Sequence, residues 1–427
     1  MSEPIFIARQ DTLEQEILPA HWLAQYKLFG EESYTFQDKG IWKKLCMSRA
    51  AANDRDMHAE ALEEMLTTFS AEHTGKWMIL VYGMDAAALE GLASMAAVAG
   101  NGTAMGAIVD NALLMHAIAN SETAMQRIAN SQTAMQRVAN NTTAMDAIGR
   151  SRIARDAVQA SPYYNSYIKE NDMAIAKLAV ALANLESAGY SGMAGVAADS
   201  TAMTAVAASA TAMTAVAASS VARNAISASP YYDEKIKEND MAIAKLVVGF
   251  ANLESARYSG CAGVAADSTA MTAVAASSTA MTAVAASGVA LKAIAQAYKK
   301  TANMLQFLKA VNASDTLVKR IYSTLTGATG LFGATQLGSQ DGVESANSWA
   351  TTSAAPNAFL ACACGYYSSS SDSVSVTYNG TVIAQKKTGT KQPGSVASTN
   401  VNAITMAPST FTENGDGWLA VQKFTAK

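Results

Sequence analysis

A ten-residue spacing of methionine constrains this chain more than any other feature. Met95, Met105, Met115, Met125, Met135 and Met145 stand ten apart, and Val98, Ile108, Ile118, Ile128, Val138 and Ile148 follow them by three residues. A seventh unit carries Arg155 and Val158 at the same two positions. The unit returns at Met193, Met203, Met213 and Arg223, and again at Cys261, Met271, Met281 and Leu291. Fifteen decads thus form three arrays of seven, four and four. In one continuous α-helix ten residues turn about 1000°, so the methionines would drift by about 80° per repeat and face no single partner. A long coiled coil needs a period of about seven or eleven residues. The period therefore predicts a short helix and a corner in every unit.

The residue four places before the methionine position supports this. It is Asn101, Asn111, Ser121, Ser131, Asn141, Ser151, Asp199, Ser209, Ser219, Asp267, Ser277 or Ser287 in twelve of the fifteen decads. These residue types are preferred N-caps. Behind the cap, the alanine before the methionine, the methionine itself, and the residues three and four later share one helical face. A helix of about seven or eight residues is unstable alone, because nucleation is costly. Stacked helices would bury that face, and alanine would let their backbones approach, which is the logic of a solenoid. The methionines and valines are expected in its core; a methionine-rich recognition groove is the sharper alternative. A threonine-based ice-binding surface is disfavoured, because Leu113, Ile153, Val221 and Val289 interrupt the threonine position. Alanine richness and phased caps argue against a β-helix.

A larger duplication overlies the decads. Residues 161–228 and 229–296 are identical at 54 of 68 positions. Each block opens Ser-Pro-Tyr-Tyr and continues through Lys-Glu-Asn-Asp-Met-Ala-Ile-Ala-Lys-Leu into four decads. The opening segment reads as one long helix of about 20–25 residues, with its proline in the first turn. Ile168, Ile175, Leu178, Leu182 and Leu185 fit a heptad seam that includes Asn171, and Ile236, Ile243, Leu246, Phe250 and Leu253 repeat it with Asn239. A third seam runs through Met304, Phe307, Val311, Val318, Ile321 and Leu325. Such seams fit either self-association, with asparagine fixing register, or packing on the chain's own solenoid.

The ends have another composition. Residues 1–90 hold Trp22, Tyr26, Phe29, Tyr34, Phe36, Trp42, Phe69, Trp77 and Tyr82, with amphipathic helices expected near 40–52 and 56–70. His21, His58 and His73 lack the paired spacing of a metal site. From about Gly327 glycine, serine, threonine and asparagine rise. Ser373 to Gln385 alternates around Asn379-Gly380, a strong hairpin signal. Further strands are expected at 357–367, 401–407 and 417–425, as in a small β-sandwich. Trp349, Tyr366, Tyr367 and Trp418 are the candidate receptor or partner contacts there, against the alternative that they fill the domain's core.

The fold expected is mainly α with a C-terminal all-β domain. Its parts are a head at 1–90, a first array at 91–160, helix-plus-array blocks at 161–228 and 229–297, a helical stalk at 298–326 and a β domain at 327–427. Half of the residues are hydrophobic, which excludes a low-hydrophobicity disordered chain. A net charge of −4 gives no footprint for nucleic acid. The start, Met1 to Ile5, does not read as a secretory signal, and no apolar stretch is long enough to predict membrane insertion. Cys46, Cys261, Cys362 and Cys364 form neither a disulfide framework nor a zinc spacing, and the reading is a soluble chain made in a reducing cytoplasm. No Gly-x-Ser-x-Gly, Walker or His-Glu-x-x-His motif occurs, so no catalytic residue, metal or cofactor is expected.

The units Ser-Ser-Thr-Ala-Met-Thr-Ala-Val-Ala-Ala-Ser at 277–287 and Asn-Ser-Gln-Thr-Ala-Met-Gln-Arg-Val-Ala-Asn at 130–140 resemble decapeptide repeats of tail-fibre-like virion proteins of tailed bacteriophages. The resemblance covers roughly 91–296 and marks a structural shaft, not an attachment point; no binding residue carries over from it. It implies a virion appendage assembled in the host bacterial cytoplasm, docked to other virion proteins through 1–90. A homo-oligomer is expected, a trimer foremost. The alternatives are a receptor-binding adhesin, whose β domain contacts a host-surface glycan or protein, and a host-encoded solenoid interaction protein from an integrated element.

The phased caps make a direct prediction. Ser209→Ala and Ser277→Ala should each cost roughly 0.5–2 kcal/mol of stability, measured by thermal unfolding of the full chain. An unchanged melting curve would remove the capping argument.

Overall fold

The computed structural model describes residues 55–69, 74–297, 301–343, 347–351, 357–366, 373–387, 396–398, 400–414 and 417–427. The described part is mainly helical, with antiparallel strands in two small sheets towards the C-terminus. The chain divides into two compact units, residues 1–196 and 197–427.

Unit 1 begins with α1 (Arg55–Glu64), a π-helical extension (Met65–Phe69), α2 (Thr74–Tyr82) and α3 (Ala86–Leu89). Then come α4 (Met95–Gly100), α5 (Gly102–Val109), α6 (Ala112–Ala119), α7 (Glu122–Ala129), α8 (Gln132–Ala139), α9 (Thr142–Arg150) and α10 (Arg152–Ala160). A single turn, α11 (Tyr164–Tyr167), and α12 (Asp172–Leu182) follow. The helix α13 (Met193–Ala198) spans the unit boundary. Unit 2 continues with α14 (Ser200–Ala208), α15 (Ala210–Ala218), α16 (Ser220–Ser227), α17 (Tyr232–Lys235), α18 (Asp240–Phe250) and α19 (Cys261–Ala266). Its last helices are α20 (Ser268–Ala276), α21 (Ser278–Ala286), α22 (Gly288–Gln296), α23 (Thr301–Asn312) and α24 (Asp315–Gly327).

All twelve expected caps are N-caps. Each sits in extended backbone, and its side chain accepts from an amide in the first turn, as Ser131 does from Ala134 N and Asp199 from Thr201 N and Ala202 N. The expected core is also found. Met105, Met125, Met145, Met203, Met213 and Met281 are buried, and so is the residue three places after each. A methionine groove open to partners is therefore not formed at these positions. Successive decads turn sharply, by 104° between α5 and α6, 100° between α14 and α15 and 104° between α20 and α21. Thr201 and Thr211 are exposed on two such consecutive helices.

Many of the short helices pack on the helix three places earlier: α7 on α4, α8 on α5, α9 on α6 and α12 on α9 in unit 1, then α18 on α15, α21 on α18 and α24 on α21 in unit 2. Several corner residues tie these layers together. Ser131 Oγ donates to the Ala99 carbonyl at 2.6 Å, Ser151 to Ala119 at 2.6 Å and Ser161 to Ala129 at 2.5 Å. Asn171 Nδ2 reaches the Ala139 carbonyl at 3.1 Å, and in unit 2 Ser229 and Asn239 make the same reach to Ala197 and Ala207. Every one of these bonds spans 32 residues, three decads and a corner.

The long heptad helices are not formed. The first block opens with one turn, α11, and an 11-residue helix, α12, and the second repeats this in α17 and α18. Asn171 and Asn239, read as seam residues, are N-caps that accept from Ala174 N and Ala242 N at 3.1 Å. Asn184 and Asn252 end the helices in left-handed backbone, with φ of 59° and 57°. Ile175 and Leu178 simply continue the methionine and valine positions of the decad, which mimicked a seam. The stalk expected at 298–326 is likewise two helices, α23 and α24, broken at Ser314, which caps α24. Met304, Phe307, Val311, Val318, Ile321 and Leu325 face the core of unit 2.

The strands are β1 (Phe332–Val343), β2 (Asn347–Thr351), β3 (Ala358–Tyr366), β4 (Ser373–Tyr378), β5 (Thr381–Lys387), β6 (Val401–Met406), β7 (Ser409–Asn414) and β8 (Gly417–Ala426). One sheet has the order β1-β8-β3-β6 and the other β2-β7-β4-β5, with antiparallel neighbours throughout. The Asn379-Gly380 turn carries φ of 46° and 75°, as a two-residue hairpin requires. Residues 358–363 of β3 are buried without alternation, because β3 is a central strand and α22 packs on its sheet. The Asn312 amide pairs with the edge strand: its Nδ2 donates to Ile404 O at 2.7 Å, and Ile404 N donates to its Oδ1 at 3.0 Å. Tyr322 Oη donates to Val396 O at 2.7 Å, and its ring meets Phe424 edge-on at 5.7 Å.

A small apolar cavity of about 20 Å³ lies between Cys261, Val264, Met271, Val284 and Ile294. Cys261 occupies the position of Met193 in the preceding block, so the void marks the missing thioether. Cys261→Met should raise the melting temperature of the full chain, since filling a void restores packing contacts. A lowered melting temperature would mean that the site cannot accept the longer side chain.

Candidate functional site

Three of the four candidate aromatic residues of the C-terminal region lie on strands of the two sheets. Trp349 is in β2, opposite Phe411 of β7. Tyr366 ends β3 opposite Gly417, and Trp418 of β8 stands opposite Gly365, one register step away. Tyr367 lies outside the described residues. So do His21, His73 and the aromatic residues from Trp22 to Trp42, together with the helix expected near 40–52. The second expected helix is α1 with its π-helical extension. His58 on it is buried, with its ring 5.5 Å from that of Tyr82, and Trp77 meets Tyr82 edge-on at 5.4 Å. These three rings pack together in the interior, which is an ordinary aromatic core cluster.

Among the described residues, two clefts are each large enough for a small ligand. One in unit 2, of about 640 Å³, is lined by Lys237, Glu238, Val289, Thr324, Thr329 and Leu331. Its carboxylate is already engaged: the two Glu238 oxygens accept from Gly288 N at 3.0 Å and Val289 N at 3.1 Å, at the start of α22. The other, in unit 1, of about 360 Å³, is bordered by Asp110, Gln136, Arg137, Asn140 and Asn141. There Asn141 Nδ2 donates to Asp110 Oδ1 at 2.7 Å.

The polar groups with the chemistry of a site are buried elsewhere. Lys177 Nζ donates to Asp146 Oδ1 at 2.7 Å and to Ser187 O at 3.1 Å, and Ser187 Oγ donates to the same Asp146 oxygen at 2.9 Å. A serine–lysine nucleophile would need the hydroxyl to donate to the amine. Here both donate to one carboxylate, so the cluster ties the loop after α12 to α9. Sequence reading missed it because the three residues are up to 41 positions apart. At the equivalent α15–α18 crossing Lys245 is kept, but Thr214 of α15 stands at the position that Asp146 has in α9. Lys245 Nζ donates only to main-chain oxygens, at 3.0 Å to Ser255 and 3.4 Å to Ala256. Burial pushes it below the ordinary lysine value of 10.5. Burial foremost, then Asp240, pushes the Cys261 thiol well up, which disfavours a reactive thiolate. Among the described residues no group of three or more His, Cys, Asp or Glu could hold a metal ion, and no single helix is long and apolar enough to cross a membrane.

No protein-family model matches the chain, and no curated protein matches it.

The Lys245 site makes a pH prediction. Between its lowered value and 10.5 the unfolded chain binds more protons than the folded one, so stability from this group rises with pH through that window. Lys245→Met removes the group that ionises. The stability advantage of Lys245→Met over the parent chain should be largest near neutral pH and shrink as pH climbs towards the ordinary lysine value. A gap independent of pH in urea titrations would show that Lys245 is not desolvated.

Proposed function

We propose that the chain is a structural component of a tailed-bacteriophage virion, a fibre- or whisker-like appendage of the tail, collar or baseplate. In this reading the short capped helices form a decapeptide solenoid that serves as the shaft. Residues 1–90 dock to other virion proteins, and the C-terminal strands form a small β-sandwich. The observation that carries the reading is the decad itself. Its repeated apolar positions face inward and its caps are spent on the fold, so the repeat builds a scaffold and leaves no repeated reactive group. Its resemblance to virion repeats supplies the biological setting.

The strand order 1-8-3-6 and 2-7-4-5 supports a double-sheet jelly roll, an architecture shared by viral capsid and lectin domains. That support is a fold-level analogy. It also keeps the adhesin reading in play, with Trp349, Tyr366, Tyr367 and Trp418 as the residues to test against a host-surface glycan or protein. A homo-oligomer, with a trimer foremost, belongs to the proposal for either role. No catalytic activity or cofactor is part of it.

Electron microscopy of particles carrying the chain with a gold-binding tag at its C-terminus tests the reading. Label on a projecting appendage is the expected result. Purified particles that lack the chain, with unchanged morphology after its removal, would overturn it. Host adsorption lost by Trp418→Ala in particles that retain the appendage would assign the adhesin role.

A further inference from the structure

The six corner bonds that span 32 residues share one kind of acceptor. It is the carbonyl of the alanine four places after the decad's methionine, as at Ala99 after Met95 and Ala207 after Met203. The last helix still uses this acceptor on the turn before it. α24 keeps the phase of a decad, with Ser314 as its cap and Val318 and Ile321 as its buried pair. Its Thr324 Oγ1 donates at 2.8 Å to the carbonyl of Ala285, four places after Met281.

The acceptors that a following turn would use are closed. By the same phase they are the carbonyls of Leu308 in α23, four places after Met304, and Tyr322 in α24, four places after Val318. Asn312 Nδ2 donates to Leu308 O at 2.8 Å, and Thr326 Oγ1 donates to Tyr322 O at 3.0 Å. Each donor lies on the acceptor's own helix. Leu308 and Tyr322 are buried, and they replace the small alanine of the decad. Strands cover this last turn instead. α22, α23 and α24 pack on α19, α20 and α21, and they also pack on β3 and β8, on β5 and β6, and on β1 and β6, respectively. The Phe307 ring of α23 lies 6.5 Å from that of Phe359 in β3. Met281 and Leu291 of the helices share one continuous buried cluster with Phe359 and Phe424 of the strands. The division between compact units falls after residue 196, not near Gly327 where the composition changes.

We propose that the β domain is the end cap of the helix stack: its strands stand where a further turn would, and stack and strands open together. A stack of repeats leaves a bare apolar face at its end, which terminal capping elements cover. Here the cover is a sheet, seated on large side chains where earlier turns offer alanine to the next helix. The inference does not rest on the virion role. It places any partner of the strands on the end of the stack, and not on a tethered module that moves by itself.

Amide hydrogen exchange of the full chain, read by mass spectrometry, tests it. Phe411 of β7 and Val376 of β4 are buried register partners in the second sheet, so Phe411→Ala removes packing inside the β domain. It should speed exchange by about tenfold or more in α22, α23 and α24 as well as in β3 and β8, because a cooperative unit opens as a whole. Faster exchange confined to the strands would overturn the proposal. Should Phe411→Ala not fold, Val376→Ala makes a smaller loss at the partner position and is read in the same way. In the other direction, Met281→Ala in α21 should speed exchange in β3 and β8. Unchanged exchange in those strands would also overturn the proposal.

Discussion

The rest of the structure depends on a side chain that works in two directions. Ser151 Oγ accepts from Ala154 N at 3.3 Å, which starts α10, and donates to the Ala119 carbonyl at 2.6 Å, which ends α6. A helix of eight or nine residues, as most decads form, has roughly four unpaired amides and four unpaired carbonyls at its ends. Buried ends of that kind would be costly without partners. At Ser131, Ser151 and Ser161 one hydroxyl supplies a bond to each of two segments, and the donation lands 32 residues back. The cap thereby sets both where a helix begins and which earlier helix lies beneath it.

Packing then follows from small residues. Alanine flanks the buried methionine and valine positions, so helix backbones come close, and at the α15–α18 crossing only glycine fits. Where a stack changes character, arginine replaces methionine: Arg155 donates to the Gly149 carbonyl, and Arg223 to the Ala217 carbonyl at 2.6 Å. The strands meet the last helices differently. Asn312 offers a β-like pair of hydrogen bonds to the edge strand β6, so a helix side chain covers main-chain groups that would otherwise invite another strand.

Much of this was legible in the sequence, because caps and hairpin turns are chemically specific. Ser, Asn or Asp at one phase identified all twelve corners, and Asn379-Gly380 identified its hairpin. The heptad seams misled because Asn171 can be read either as a polar residue in a helix core or as a cap, and only its acceptance from Ala174 N decides. Donation across 32 residues is invisible in sequence, since a carbonyl has no residue code. Strands β1, β2 and β7 escaped because their polar, glycine- and threonine-rich stretches lack clear alternation. For the candidate site less was legible. The aromatic residues were chosen by type, which cannot distinguish a core ring such as Trp77 from a contact, and the Asp146–Lys177–Ser187 cluster depends on stacking of distant segments.

The most direct test of the account compares two caps in one unit. Ser94 accepts from Ala97 N at the start of α4, whereas Ser151 caps α10 and also bridges to the buried Ala119 carbonyl. Replacing each by alanine in the full chain, and following unfolding by circular dichroism in urea, separates capping from bridging. Ser151→Ala should cost about 1–3 kcal/mol more than Ser94→Ala, because it strands a buried acceptor. Equal costs for the two would contradict the claim that the caps hold successive layers together.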